Sequence, residues 1–318
     1  LRAEFPGTEC IEIPGYGIRY SGKRGGLVRR LIFRIPAILL RIRRENAWLK
    51  NFCRQRRIDA IISDNRYGFY HKKIWSVFIT HQLFIQTGMG ERVNRLLLRL
   101  HYFFIERFSE CWVPDGEEPF SLARLLSHPP WAPAIPVRYT GILSRFQRSA
   151  AVISNPLLIL LSGPESARTN FENKVLEELG NYQGAAVMVR GLPDGKEEKI
   201  IQDNRIVIYN HLVSGQLNEL INRSAIVISR SGYSTIMDLA RLGKKAVLIP
   251  TPGQPEQEYL ARELDKKKWA LLASREAFNL NACLKEISQE AIGFPEFPDE
   301  GLPETIISEY IKRIRKNQ

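Results

Sequence analysis

Residues 225–261 read AIVISRSGYSTIMDLARLGKKAVLIPTPGQPEQEYLA, and they set a buried strand, a turn, a helix, a second buried strand and a polar loop in unbroken order. That order is one βαβ unit. The apolar run ending at Ser229 suits a parallel strand covered on both faces. Arg230-Ser231-Gly232 is then the turn into a helix predicted over Ser234–Leu242, so it lies at a carboxyl strand end. In open α/β sheets ligands bind at this edge, and the first N–H groups of the following helix attract anions. Asp238, one turn into the helix, brings a carboxylate to the same edge, where such groups accept hydrogen bonds from ribose hydroxyls.

RSGYSTIMDLARLGKKAVLIP followed by GQPEQEYLA resembles the nucleotide-binding half of GT-B glycosyltransferases, in particular the family 28 C-terminal domain of MurG-like UDP-sugar transferases. The resemblance implies an α/β fold of the GT-B type, with two Rossmann-like parallel-sheet domains facing a cleft. It also implies roles for particular residues. The turn Arg230-Ser231-Gly232, with Ser234 behind it, would face the diphosphate, and Asp238 would bind the ribose of UDP. The loop after the next strand would hold the sugar through Gln254, Gln257 and Glu258. Two departures bear on the donor: the family usually has Glu at Asp238 and Asp at Pro255, so the sugar need not be N-acetylglucosamine.

A chain of 318 residues, 44% hydrophobic, can bury two cores. The expected division is 1–150, an acceptor-side domain, and 151–318, a nucleotide-sugar-binding domain whose final helix, near 303–316, crosses back. The opening LRAEFPGTECIEIPGYGIRYSG resembles the region after the first βαβ unit of the acceptor domain. The first domain is expected to lack that unit, roughly 50 residues given the size of a βαβ unit and a strand, the alternative being a natural variant with an unusual start. Some acceptor-side residues would then lie outside this sequence.

Cys10, Cys53, Cys111 and Cys283 lie far apart, with no CxxC pair and no histidine at ligand spacing. The pattern suggests no zinc site and no disulfide framework, and a reducing, cytoplasmic setting. The longest apolar run, Leu31–Leu40, is interrupted by Arg34 and Pro36 and falls short of the ~20 residues of a membrane span.

Strands alternate with helical patterns, which argues for parallel sheets. Apolar runs at 60–62, 75–80 and 111–113 form a first set, with a helix predicted over Glu91–Phe108. The proline-rich passage His128–Pro136 leads through Tyr139-Thr140-Gly141 to a polar stretch and reads as the interdomain connection. The second set is 157–161, 185–189, 206–209, 225–229, 246–249 and 269–272.

Charge is uneven along the chain. Residues 1–150 carry 25 Lys plus Arg against 12 Asp plus Glu, a balance of +13, while residues 151–318 carry −1. The excess concentrates between Arg19 and Arg57, where apolar residues such as Leu31, Ile38, Ile42 and Leu49 interleave with Arg29, Arg34, Arg41, Arg43 and Arg44. Residues 27–57 could lie on an anionic membrane, each cation contributing ~1 kcal/mol. An ordinary surface helix with its stripe turned to the core explains the pattern equally well. No nucleic-acid motif or stacking platform accompanies the charge, so nucleic acid is not an expected partner.

Ser162-Gly163 follow the apolar run 157–161, where glycine permits close approach of a ligand. The resemblance turns this loop towards the donor diphosphate, and puts Tyr209-Asn210-His211 against the uracil base. In the first half, Asp64 and His81 both follow apolar strands and line the expected cleft. His81 can accept a proton from an acceptor hydroxyl, or be a histidine satisfied at a strand end. Asp64 can be a base, an acceptor ligand or a cap. Ser231 lacks a GxSxG frame and a neighbouring histidine, which argues against a hydrolase.

The function expected from these readings is transfer of a sugar from a UDP-sugar to a glycan or lipid-linked acceptor, without metal or cofactor, at the inner face of a membrane. A UDP-sugar 2-epimerase and a non-catalytic nucleotide-sugar-binding protein stay open beside it.

Overall fold

The computed structural model describes residues 5–13, 27–86, 90–163, 165–192, 199–202, 205–274, 277–298 and 302–316, with no side-chain description for 27–34, 199–202, 302 and 316. Two sheets organise them. The first has four parallel strands in the order β1 (Ala60–Asp64), β2 (Trp75–Ile79), β3 (Glu110–Val113) and β4 (Val137–Tyr139). Helix α1 (Leu27–Gln55) precedes it and α2 (Glu91–Ile105) joins β2 to β3. One face packs Phe78, Cys111 and Val113 against Ile105 and Phe108.

The second sheet has seven strands: β5 (Asn155–Leu160), β6 (Ala186–Val189), β7 (Lys199–Gln202), β8 (Ile206–Tyr209), β9 (Ser224–Ser229), β10 (Lys245–Leu248) and β11 (Leu271–Leu272). Their order is β11-β10-β9-β5-β6-β8-β7, and of these pairings only β7 with β8 is antiparallel. The continuous apolar runs follow from burial on both faces. Leu158, Val227 and Leu248 face α4 (Ser214–Asn222), α5 (Tyr233–Arg241) and α6 (Pro255–Lys266). Leu157, Ile159, Ile228 and Val247 face α3 (Glu165–Gly180) and α7 (Leu280–Gln289).

The last helix, α8 (Leu302–Lys316), belongs to the first sheet. Its Ile306 and Tyr310 pack against Val77 and Trp112, and the Tyr310 hydroxyl donates to the Trp75 carbonyl at 3.2 Å. The sheets also meet directly. Leu122, Ala123 and Leu126, beyond β3, join the core that α4–α6 form with the second sheet.

Two strands differ from expectation. β4 lies at the end of the proline-rich passage that the sequence presents as connection, and β7 has no counterpart among the expected runs. Along α1, Ile42 and Leu49 are buried while Arg41, Arg43 and Arg44 are exposed, so this part of the stripe faces the protein. The side chains of 27–34, and residues 1–4 and 14–26 of the opening segment, lie outside the described residues.

Candidate functional site

Backbone pairing puts the predicted donor residues on one rim. Leu160 is in register with Ser229 and Val189, Ser229 with Leu248, and Val189 with Tyr209, so five strands end together. From β5 the chain runs outward through β6 and β8, then returns to the other side of β5 at β9. This reversal opens a crevice between the two strand ends. Ser162 and Gly163 leave β5 on one side of it, both exposed, with Gly163 at a φ of 101°, a left-handed value that favours glycine. Arg230-Ser231-Gly232 leave β9 on the other side.

The two helices that start here differ in electrostatics. α3 carries Glu165 in its first turn, bonded to Arg168 and Thr169, and these contacts hold its carboxyl down at about 2. α5 has no acid in its first turn and no side chain capping Gly232, and Ser234 beside it is exposed. The N-terminus of α5 therefore suits an anion better, since a carboxylate already occupies the positive end of α3.

Arg230 corrects the sequence reading. The turn was expected to face the diphosphate, with Arg230 offsetting charge on the departing group, but Arg230 is 1% exposed. It donates to the carbonyls of Ile249, Pro250 and Ala167 at 3.1–3.2 Å and lies over the Phe171 ring. It ties the loop after β10 and the first turn of α3 to the end of β9. Ser231, also buried, donates to the Gln257 carbonyl at 2.9 Å. The turn is thus a clamp that shapes the rim.

The sugar loop is likewise partly turned inward. Oε1 of Gln257 accepts from the Thr251 N–H and Oε1 of Glu258 from the Gly253 N–H, which closes the turn before α6. Gln254 is half-buried at the N-cap and bonds no backbone N–H of α6 through its side chain. Asp238 is half-buried and Oδ1 accepts from the Ser144 hydroxyl at 2.6 Å; burial raises its carboxyl above the ordinary value. Asn210 is buried and accepts from Arg190, while Tyr209 is half-buried and His211 exposed. The buried Asn210 side chain supports the rim from below.

From the first sheet, His81 reaches across. Its Nε2 stands 2.7 Å from Oε1 of Glu256 in the first turn of α6, and its ring stacks on Tyr233 at 4.1 Å and 11°. Tyr233, the first residue of α5, is buried and donates to the Pro114 carbonyl. Asp64 is exposed at the end of β1, beside the strand that precedes His81. A cavity of about 460 Å³ is bounded by the loop Asp115–Phe120, residues 139–144, Arg241 and Phe297, and its Ser144 is the residue that bonds Asp238.

Glu256, Tyr233 and Ser144 escaped the sequence reading. Glu256 and Tyr233 stand within the quoted stretch, but nothing in a linear pattern shows that their partners lie on the other sheet.

Residues 164–292 match the model of the glycosyltransferase family 28 C-terminal domain. A relative in Buchnera aphidicola, a UDP-N-acetylglucosamine–N-acetylmuramyl-(pentapeptide) pyrophosphoryl-undecaprenol N-acetylglucosamine transferase, is 27% identical over 136 residues. That match covers 41% of this chain and 38% of the relative. Among solved structures, the glycotransferase of kitacinnamycin shares 13% identity, with a TM-score of 0.55 over 93% of this chain and 85% of its own. Spinosyn rhamnosyltransferase SpnG, complexed with thymidine diphosphate, shares 14% with a TM-score of 0.53 over 80% and 71%. Residues 164–292 thus resemble the family 28 C-terminal domain, and the two-sheet architecture is the fold of the GT-B glycosyltransferases.

Proposed function

We propose that this chain is a glycosyltransferase that moves a sugar from a UDP-sugar to a glycan or lipid-linked acceptor hydroxyl. The observation that carries the reading is that Ser162-Gly163 and the uncapped N-terminus of α5 stand at adjacent strand ends, at the reversal point of a sheet matching family 28, with Asp238 further along the same helix. The diphosphate would lie against α5, the ribose at Asp238, the base at Tyr209-Asn210-His211, and the sugar beneath Gln254 and the free end of Gln257. Fixed N–H dipoles suit the chemistry, because they stabilise charge on the departing diphosphate without reorganising. Arg230 serves by tying the loop after β10 and the first turn of α3 to the end of β9 rather than by touching donor. The reading assigns no metal to this step.

On the acceptor side, His81 or Asp64 would take the hydroxyl proton, both being on strand ends of the first sheet that face this rim. The basic segment 27–57 would bring the protein to an anionic, cytoplasmic membrane face where a lipid-linked acceptor resides. No helix among the described residues is long and apolar enough to cross a membrane.

Calorimetry with UDP, thymidine diphosphate, UDP-glucose, UDP-N-acetylglucosamine and GDP-mannose tests the donor assignment. UDP compounds are expected to bind, Asp238→Ala to weaken them at least tenfold, and EDTA to leave binding and UDP release unchanged. Equal binding of GDP-mannose, or an Asp238→Ala protein that binds UDP as before, would overturn it.

A further inference from the structure

We infer that Glu256 is a positioning residue for His81, holding the imidazole in the tautomer that acts as base; the inference rests on the transferase reading. Three observations carry it. His81 comes from the first sheet, yet the groups that fix it belong to the second: Glu256 by a 2.7 Å hydrogen bond, Tyr233 by a parallel stack at 4.1 Å. Those two residues stand in the first turns of α6 and α5, the helices that frame the sugar and diphosphate positions. The pair is also accessible, His81 being 19% and Glu256 34% exposed.

The chemistry follows from the acceptor. An ionised carboxylate only accepts hydrogen bonds, so Nε2 of His81 must carry the proton, and the neutral ring keeps its lone pair on Nδ1. Hydrogen bonding fixes the tautomer and stacking fixes the ring plane. In the transfer step the acceptor oxygen bonds the anomeric carbon while the bond from that carbon to the phosphate oxygen breaks. Its electron pair leaves on the diphosphate, and the acceptor's proton passes to Nδ1. The imidazolium so formed stays beside the Glu256 carboxylate, which offsets its charge. Because Glu256 lies on α6, which packs on the donor-side sheet, the base is set only when the two halves are together.

The test is Glu256→Gln, read in three ways on the full chain. Nitrogen NMR of histidine-labelled protein, with His81→Gln to identify the signal, reports the tautomer without any turnover. The proton is expected on Nε2 in the natural protein and to leave that nitrogen, at least in part, when the amide can donate. UDP release from UDP-N-acetylglucosamine is expected to fall tenfold or more in kcat, with the Kd of UDP unchanged within twofold. The double variant with His81→Gln should be no slower than His81→Gln alone, as for residues that act as a unit. A purely structural clasp would instead change folding stability and Kd and leave kcat within twofold, whatever the tautomer does. Bound UDP with unchanged turnover in Glu256→Gln, or a proton on Nδ1 in the natural protein, overturns the pairing alone. Failure of the natural protein to bind UDP overturns the donor site and this role together.

Discussion

Buried polar side chains set the shape of the rim, and two of them make opposite kinds of demand. His101, 4% exposed, accepts from the Tyr67 hydroxyl at Nδ1 and donates from Nε2 to the Gln82 carbonyl, which steadies the loop carrying His81. Burial lowers its pKa from 6.5 to about 4. The unfolded chain therefore takes up a proton that the folded chain refuses. Stability is full above the unfolded value and is lost as pH falls from about 6.5 towards 4, by about 2–3 kcal/mol. Urea unfolding at pH 7 and pH 4.5 measures the loss, and His101→Gln is expected to abolish this part of it. Arg230 is needed in its charged form, since its guanidinium serves three carbonyls from two segments, the loop after β10 and the first turn of α3. Arg230→Met strands those carbonyls and should cost about 3 kcal/mol or more. By contrast, Asp238→Ala should cost under about 1 kcal/mol while weakening UDP, so the two variants separate shaping the rim from contacting the ligand.

At the scale of the element, α5 is where the two sheets and the proposed ligand meet. Asp238 on its flank is held by Ser144 from the segment that joins the sheets, so a ribose would have to displace that hydroxyl. Ser144→Ala should therefore tighten UDP by about two- to tenfold, the equivalent of one hydrogen bond of 0.5–1.5 kcal/mol, as read by calorimetry. Elements of this kind were easy to read in the sequence. The runs at 206–209 and 225–229 are apolar because their strands are covered on both sides, and the turn after Ser229 announces itself through Gly232. β4 was hidden because three residues inside a proline-rich passage carry no periodicity, and β7 because an antiparallel edge strand need not be apolar throughout. The site was legible as a set of strand ends and illegible in its side chains. Arg230 and Gln257 look like ligands in a linear motif, and only packing reveals that one is buried and the other folded back on Thr251. The partnership of His81 with Glu256 joins residues far apart in sequence, and no local rule reports it.

The whole molecule is tied together more than a two-part sequence suggests. Tyr233 inserts between the sheets, Lys267 donates to the carbonyls of Pro119 and Ser121, and α8 returns to cover the first sheet. Ile306→Ala should destabilise the protein by about 2–5 kcal/mol although it lies far along the chain from the strands it covers. Chemical denaturation followed by the fluorescence of Trp112, which Tyr310 contacts edge-on, reports that loss directly. The return of α8 also has a consequence during synthesis. The face formed by Val77 and Trp112 leaves the ribosome long before the helix that shields it, and at about 5–20 residues per second the delay is on the order of ten to forty seconds. A nascent chain of this design carries a sticky, half-finished sheet for that interval, and it is there, rather than in the finished fold, that a chaperone would find its purchase.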